Sequence, residues 1–484
     1  MKKDKHVTIQ EKQPSALVGG IILLCAVAII MWGALLHGFD VTVFLFIGAG
    51  LVCAYGVFVQ KIHYSEMEKA AISSIASAMD ALLVIMSIGM VVGSFIACGT
   101  IPYIISLGLA LFTPVTFLPI LNFMGGILSA ITGSSWVVVG TIGLAGMGIG
   151  EGMGIPAPIT AGCVLCGAYM GDKISPLSGD APNFFAAVSK VDLFHHCKMS
   201  LYSTIPTWIV SIIIFAIIGM SYSNKVVDEA ALMAIRDGLA DVFDFGFWLW
   251  IPIIYLIVVT LLKVPAVPAI ATAGFLGFIC TIIFQGTSPA DSMTYLISGY
   301  VGETSNDAIN NILSRGGMTG MFGTVGIVIA AMMFAGFIER SGLLIALSSK
   351  LSKLISGRVG LILTSFFTGL VLCFACADTF FTCTVVAKAF DYKYDELHLD
   401  RAVLSRTMGD FATTCCPLVP WSINGVYCAT TLGVSTLAYT PFYFMAILAP
   451  IMCLVTAITG WGLRYVDENG NLVKKLPKKE AKEA

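Results

Sequence analysis

A polar stretch of thirteen residues, GDKISPLSGDAPN at 171–183, interrupts an otherwise apolar part of the chain. It contains two aspartates, a lysine, two prolines, two serines and an asparagine. Small hard cations prefer oxygen ligands from carboxylate, hydroxyl and amide groups. The stretch offers such ligands at Asp172, Ser175, Ser178, Asp180 and Asn183. Pro176 and Pro182 break helix continuity, which leaves backbone groups available to an ion.

Three other polar clusters lie within apolar sequence and have the same chemical character. They are TGSSW at 132–136, ADTFFTCT at 377–384 and GDFATTCCPLVPWSIN at 409–424, which together offer Thr132, Ser134, Ser135, Asp378, Thr379, Thr382, Asp410, Thr413, Thr414, Ser422 and Asn424. A cation site assembled from these clusters would be rich in oxygen. We therefore expect the clusters to lie close together in the folded chain.

Asp378 is the most informative of the carboxylates. It is the only charged residue between Arg358 and Lys388. An ionisable side chain inside a membrane segment is costly, so a functional role is the default hypothesis. We predict a site for a small alkali cation at Asp378, Asp180 and Asp172, with Asp410 as a further binding residue.

Two of these acidic residues also have a purely structural interpretation. Asp180 is well placed to cap a helix that begins near Pro182, a role that does not exclude ion binding. Asp172 and Lys173 are equally consistent with a charged loop at the membrane surface. The sequence leaves both interpretations open.

The composition places the chain in a membrane. Of its 484 residues, 57% are hydrophobic and 12% are charged, whereas soluble domains are about one quarter charged. Mean hydropathy is +0.90. Apolar runs long enough to cross a bilayer as helices occupy 15–36, 41–59, 81–98, 201–220, 247–262, 266–284, 319–338 and 437–463. We predict an all-α polytopic membrane protein with roughly eleven to thirteen transmembrane helices, some broken or re-entrant.

The two halves of the chain resemble each other weakly. Gly93 and Gly99 align with Gly336 and Gly342, 243 positions later. The segment SPLSGDAPN at 175–183 aligns with CPLVPWSIN at 416–424, shifted by 241 positions. Repetition at half the chain length is typical of secondary transporters.

The flanking segments predict that the repeats are inverted. The amphipathic stretch 60–80 follows the second apolar run and is expected on the cytoplasmic side. Its counterpart at 286–317 is expected on the opposite side if each intervening run crosses once. Opposite sides for equivalent segments mean an inverted repeat.

Charge distribution predicts the topology. Lysines at both ends favour cytoplasmic termini. We divide the chain into an N-terminal tail (1–14), a first membrane repeat (15–222), an extracytoplasmic linker (223–244), a second membrane repeat (245–463) and a basic tail (464–484).

Several other classes of function lack support. No Walker A motif is present, which argues against an ATP-driven pump, and no pairing of nucleophile and base indicates an enzyme. The fourteen cysteines lie mostly in apolar runs, where cysteine behaves as a small hydrophobe, so we expect no metal cofactor. A net charge of −2 gives no reason to expect nucleic acid. The expected partners are membrane lipid, a small cation and an optional organic solute; a homodimer is compatible with the sequence.

The carboxylates suggest a mechanism. In a partly dry cavity a carboxylate holds a proton tightly, because desolvation disfavours its charged form. A cation that reaches the same oxygens expels that proton. Mutually exclusive occupancy combined with alternating access is sufficient for antiport, whereas a channel would favour rings of charge around a pore.

The chain resembles the NhaC-type sodium/proton antiporters. The resemblance rests on GDKISPLS with Asp180 and Asn183, on CPLVPWS, and on TLGV at 431–434, and it spans roughly residues 15–463. It implies an inverted-repeat transporter in a prokaryotic inner membrane that exchanges sodium or lithium for protons. The predicted site at Asp378, Asp180 and Asp172 is then a sodium site. Some members of the family resemble exchangers that also carry organic acids, such as malate against lactate.

The chain departs from the family pattern in its polar segments. Gly179 follows SPLS, and Ala181-Pro182 replaces two threonines that the family usually has. Cys415 and Cys416 are poorer ligands for alkali cations. These changes leave room for a second interpretation, a sodium- or proton-coupled carrier of an organic acid or amino acid. Apolar contacts to that solute would come from Trp421, Phe380 or Phe381.

Overall fold

The computed structural model describes residues 16–33, 37, 39–178, 181–223, 229–343, 357–467 and 470–474. Within these ranges the chain is helical, apart from one short antiparallel hairpin near the C-terminus, β1 (Tyr465–Val466) and β2 (Leu472–Val473). The predicted all-α class is therefore confirmed. Both predicted terminal tails fall largely outside the described residues.

The first half of the chain contains eleven of the helices. They are α1 (Ala16–Met31), α2 (Val41–Ala54), α3 (Tyr64–Ser77), α4 (Met79–Ala97), α5 (Thr100–Leu111), α6 (Pro114–Thr132), α7 (Ser135–Val138), α8 (Leu144–Gly152), α9 (Ala157–Ile174), α10 (Ala181–Ser189) and α11 (Leu193–Ser223). Short π-helical segments extend α2 and join α7 to α8, at Tyr55–Val59 and Val139–Gly143.

The second half contains twelve helices among the described residues. Its helices are α12 (Glu229–Val242), α13 (Ile251–Leu261), α14 (Ala266–Gln285), α15 (Pro289–Ser298), α16 (Asp307–Leu313), α17 (Phe322–Ser341), α18 (Gly357–Cys376), α19 (Thr379–Glu396), α20 (Arg401–Met408), α21 (Ile423–Leu432), α22 (Thr436–Tyr439) and α23 (Phe444–Thr459). A π-helical segment at Gly409–Thr413 continues α20, and 3-10 turns occupy Phe247–Trp250, Thr319–Met321, Cys416–Leu418 and Thr440–Phe442.

Seven of the described helices are long and apolar enough to cross a membrane, and nine if each of two bent pairs is one span. The bent pairs are Met233–Val242 with Phe247–Leu261, at 94°, and Thr436–Phe442 with Phe444–Thr459, at 54°. The sequence predicted roughly eleven to thirteen spans. The difference arises because several apolar runs, including 247–262 and 437–463, belong to helices that bend or stop short. Part of the predicted linker 223–244 forms α12.

Helices α6 and α9 pack with their backbones very close together, because glycines of α9 lie at the contact. Gly167 and Gly171 form a G-x-x-x-G spacing on α9, and this spacing lets helix backbones approach closely in membranes. A Cβ atom on Gly171 would lie 2.3 Å from the backbone nitrogen of Ala130 on α6. This contact fixes the end of α9, where Asp172 and Lys173 lie.

Substitution of Gly171 by alanine is therefore expected to destabilise the protein by about 1–3 kcal/mol, because backbone atoms cannot yield to the added methyl group. The measurement is the thermal unfolding midpoint in detergent. Gly326→Ala is the matched control, since a Cβ atom there meets nothing within 4 Å in the middle of α17. Equal midpoints for the two variants would contradict the close crossing.

Two equivalent breaks follow α6 and α18. At the first, Gly133 adopts a left-handed conformation with φ of 69°, and Ser134 caps α7 by accepting from the backbone N–H of Val137. At the second, Ala377 has φ of 58°, and Asp378 caps α19. Each break thus combines a left-handed residue with a side-chain cap. The two breaks lie 244 positions apart.

The packing between the halves is also reciprocal. Helix α17 of the second half packs on α2 and α3, while α4 of the first half packs on α14 and α15. Within the halves, α6 packs on α9 and α11, and α18 packs on α20 and α23. An ion pair between Arg340 of α17 and Glu66 of α3 belongs to this interface.

Candidate functional site

A buried ion pair joins the two halves of the chain. Lys173, near the end of α9, donates to Asp410 Oδ1 in the π-helical segment after α20. The side chains are only 2% and 3% exposed. Ser203 of α11 donates to the same carboxylate oxygen at 3.0 Å. Because Lys173 is helical and buried, the charged-loop interpretation of Asp172 and Lys173 is wrong.

Asp172 points to a different set of partners. Ser135, the first residue of α7, donates to Asp172 Oδ2 at 2.7 Å. Ser178, in the turn after α9, donates to Asp172 Oδ1 at 2.9 Å. The carboxylate is half-buried. One carboxylate and two hydroxyl oxygens thus meet where two helix breaks adjoin, a ligand set suited to a hard monovalent cation.

Asp378 is the N-cap of α19. Its Oδ1 accepts from the backbone N–H of Phe381 at 2.6 Å, and the residue is half-buried. The carboxylate of Glu339, at the end of α17, lies close enough to interact electrostatically with it. Thr379 donates to Cys416 Sγ at 3.4 Å. The segment 377–384 therefore adjoins the turn at 416–418.

Asn424 is the centre of a hydrogen-bonded contact between the halves. Its Oδ1 accepts from Trp136 Nε1 at 2.8 Å and from the Tyr169 hydroxyl at 3.2 Å. Tyr427, one turn further along α21, donates to the backbone oxygen of Trp136 at 2.7 Å. Trp136 and Tyr427 also stack, with ring centroids 4.4 Å apart.

The remaining predicted residues have mostly local roles. Thr132 donates to the Leu128 carbonyl within α6, and Ser175 donates to the Ala130 carbonyl. Asn183 donates from its amide to the Ser178 carbonyl and is exposed. Trp421 is fully buried and donates to the Phe374 carbonyl, which makes it a core residue.

The predicted sodium site at Asp378, Asp180 and Asp172 stays a prediction. Asp180 lies outside the described residues, as does its suggested capping role. Asp172 and Asp378 each have the separate partners given above. Among the described residues, no group of three or more His, Cys, Asp or Glu side chains could hold a metal ion.

Four residues of the site were not singled out from the sequence: Trp136, Tyr169, Ser203 and Tyr427. Trp136 directly follows the polar segment TGSS, and this position beside a helix break was an available signal. Tyr169 lies one helical turn before Asp172 and Lys173 on α9. Ser203 and Tyr427 lie in apolar helices with no local signal.

Comparison with known proteins identifies the family. A model of the Na+/H+ antiporter family matches residues 167–461. The malate-2H+/Na+-lactate antiporter of Bacillus subtilis is 34% identical over 85% of this chain and 88% of its own length. The arginine/ornithine antiporter ArcD of Halobacterium salinarum is 32% identical over 94% of each chain. The Na+/H+ antiporter NhaC of Alkalihalophilus pseudofirmus is 30% identical over 83% of this chain and 87% of its own.

These matches agree with the helical architecture and with the resemblance that the polar segments carry. They also show that relatives of similar identity differ in the solutes that their names specify. The chain belongs to the Na+/H+ antiporter family and is a multi-pass membrane transporter, a secondary antiporter rather than an enzyme.

Proposed function

We propose that the protein exchanges sodium or lithium for protons by alternating access. The observation that carries this proposal is the position of Asp172, whose carboxylate is held by Ser135 and Ser178 at the junction of two helix breaks. These oxygens form the core of the cation site. Asp378 supplies the carboxylate of the second break, and Asp180, two positions after Ser178 in the sequence, is a further proposed ligand.

The buried pair Lys173–Asp410 supports the proposal that a proton is taken up when the cation leaves. A buried carboxylate keeps its charge only while a partner compensates it. Lys173 and Asp172 are adjacent on α9, so a movement of the end of α9 that accompanies cation binding also changes the contact between Lys173 and Asp410. Proton uptake is in this way linked to cation release.

Alternating access requires two halves that rock against each other. We infer inverted repeats from the equivalent breaks at Gly133-Ser134 and Ala377-Asp378 and from the reciprocal packing of α17 on α2 and α4 on α14. In this arrangement the breaks of both halves meet near the membrane midplane, with both termini on the cytoplasmic side.

Loss of one hydroxyl ligand tests the cation site. Ser135→Ala and Ser178→Ala are each expected to raise the sodium concentration for half-maximal exchange about 5- to 10-fold, the effect of one lost hydrogen bond or ligand. The measurement is sodium-dependent proton movement in proteoliposomes. The matched control is Ser87→Ala, since Ser87 is equally buried and bonds only within its own helix. Unchanged sodium dependence in both site variants would contradict the assignment.

A second candidate is sodium- or proton-coupled exchange of an organic acid or amino acid. Two observations favour it: the relatives named as malate/lactate and arginine/ornithine antiporters are as similar to this chain as the NhaC relative is, and aromatic side chains flank the breaks at Trp136 and Phe380. An organic solute would then occupy the space between the halves.

A further inference from the structure

Two aromatic contacts cross between the halves, and they involve equivalent elements. Trp136 lies two residues after the capping Ser134 and stacks on Tyr427 of α21. Phe380 lies two residues after the capping Asp378 and contacts Phe184 of α10 edge-on, with centroids 4.9 Å apart. In each case a ring just after the break of one half meets a ring on the first turns of the short helix that follows the polar segment of the other half.

The two contacts are in different states. Tyr427 is 1% exposed, its hydroxyl bonds the Trp136 backbone, and Trp136 bonds Asn424. Phe380 is 42% exposed, and the contact between Phe184 and Phe380 has only its edge-on ring geometry. The first contact is therefore closed and fixed by hydrogen bonds, whereas the second is loose.

The surroundings of Phe380 are polar, which indicates water and not lipid. Asn183 beside Phe184 is exposed, Asp378 is half-buried, and Glu339 is exposed. Carboxylates in membrane segments face protein or a water-filled cavity, because exposure to lipid is too costly. The carboxylates near Phe380 are therefore expected to face water.

We propose that these contacts are the two gates of the transport cycle, closed alternately. In this structure the Trp136–Tyr427 gate is closed and held by hydrogen bonds, whereas the Phe184–Phe380 gate is closed by its ring contact alone. This inference rests on the alternating access in the proposed function and is independent of which solute is carried. When the halves rock, Trp136 separates from Tyr427 and the contact between Phe184 and Phe380 becomes buried.

Hydrogen–deuterium exchange of the protein in lipid nanodiscs tests the gates. Trp136→Ala removes both the ring stack and the bond to Asn424, so the Trp136–Tyr427 gate loses two of the contacts that hold it closed. Exchange in segments 134–141 and 423–430 is expected to rise about tenfold, while exchange in 181–188 and 379–386 falls. Trp248→Ala is the matched control, because Trp248 stacks on Phe284 away from the breaks, and it is expected to leave all four segments unchanged.

Two further variants keep the proposal falsifiable if Trp136→Ala folds poorly. Trp136→Phe keeps a ring but loses the bond to Asn424, and a smaller shift in the same direction is expected. Phe380→Ala removes the ring contact that no hydrogen bond supports and leaves the Trp136–Tyr427 gate intact, so exchange in segments 134–141 and 423–430 is expected to match wild type. The proposal would be overturned if hydrogen–deuterium exchange in the Trp136 variants did not change in opposite directions at the two gates. It would also be overturned if exchange rose only at residue 136 and its immediate neighbours.

This readout is separate from the transported solute. A reciprocal exchange pattern with no sodium-dependent proton movement would retain the gates and reject the proposed function. Sodium-dependent proton movement without the reciprocal pattern would reject the gates alone.

Discussion

Replacement of Lys173 by methionine is expected to abolish coupled transport and to destabilise the protein strongly. The variant leaves Asp410 without its cationic partner in a site where the side chain is 3% exposed. Removal of one partner from a buried ion pair costs about 3–5 kcal/mol. The measurements are the unfolding midpoint in detergent and proton movement in proteoliposomes. Lys198→Met is the matched control, since Lys198 is exposed on α11, and it is expected to retain both properties.

The double variant Lys173→Met with Asp410→Leu separates structure from function. Buried ion pairs replaced by apolar residues of similar volume are often as stable as the original. We therefore expect the double variant to recover most of the lost stability while coupled transport stays absent. Wild-type transport by the double variant would show that the pair only holds α9 and the segment 409–413 together, and it would contradict a role in proton coupling.

Asp378→Asn is expected to give a folded protein without coupled transport. Asparagine caps helices about as well as aspartate, so the bond to the Phe381 N–H is preserved while the negative charge is removed. The charge is what a cation and a proton compete for. Purification and the unfolding midpoint should match wild type, whereas sodium-dependent proton movement should fall at least about 100-fold, the effect expected when an essential carboxylate is neutralised.

Two companion variants identify the role of the cap. Asp378→Ser also caps α19 and reproduces the residue found at the equivalent break, Ser134, so it should behave like Asp378→Asn. Asp378→Ala loses the cap and should be less stable by about 1 kcal/mol. If Asp378→Asn showed the wild-type rate of sodium-dependent proton movement, the role of Asp378 would be only to cap α19.

The sequence predicted the class of fold and that polar segments interrupt some of its helices. Apolar runs of membrane length, separated by polar segments with glycine and proline, leave little choice other than helices that stop within the membrane. At Gly133-Ser134 and at Ala377-Asp378, a left-handed residue ends one helix and a side-chain cap begins the next. The number of spans was less predictable, because local hydropathy does not show where an apolar helix bends. Two pairs of helices in this protein bend in this way, by 94° and 54°.

The pairing of side chains across the halves could not be read from the sequence. Lys173 and Asp410 are 237 positions apart, and only packing brings them together. Adjacent residues on a helix point about 100° apart, so Asp172 reaches two serines while Lys173 reaches Asp410. Arg340 follows Glu339 in sequence yet pairs with Glu66 of α3, because that helix packs against α17.

The most direct test of sodium/proton exchange uses wild-type protein in proteoliposomes with an acid interior and a pH-sensitive dye. Sodium, lithium and potassium chloride are added separately, followed by sodium with carboxylates and amino acids. The proposed site predicts that sodium or lithium alone collapses the pH gradient and that potassium does not. A gradient that resists every salt and collapses only with an organic solute would contradict simple cation/proton exchange and would assign the site to that solute.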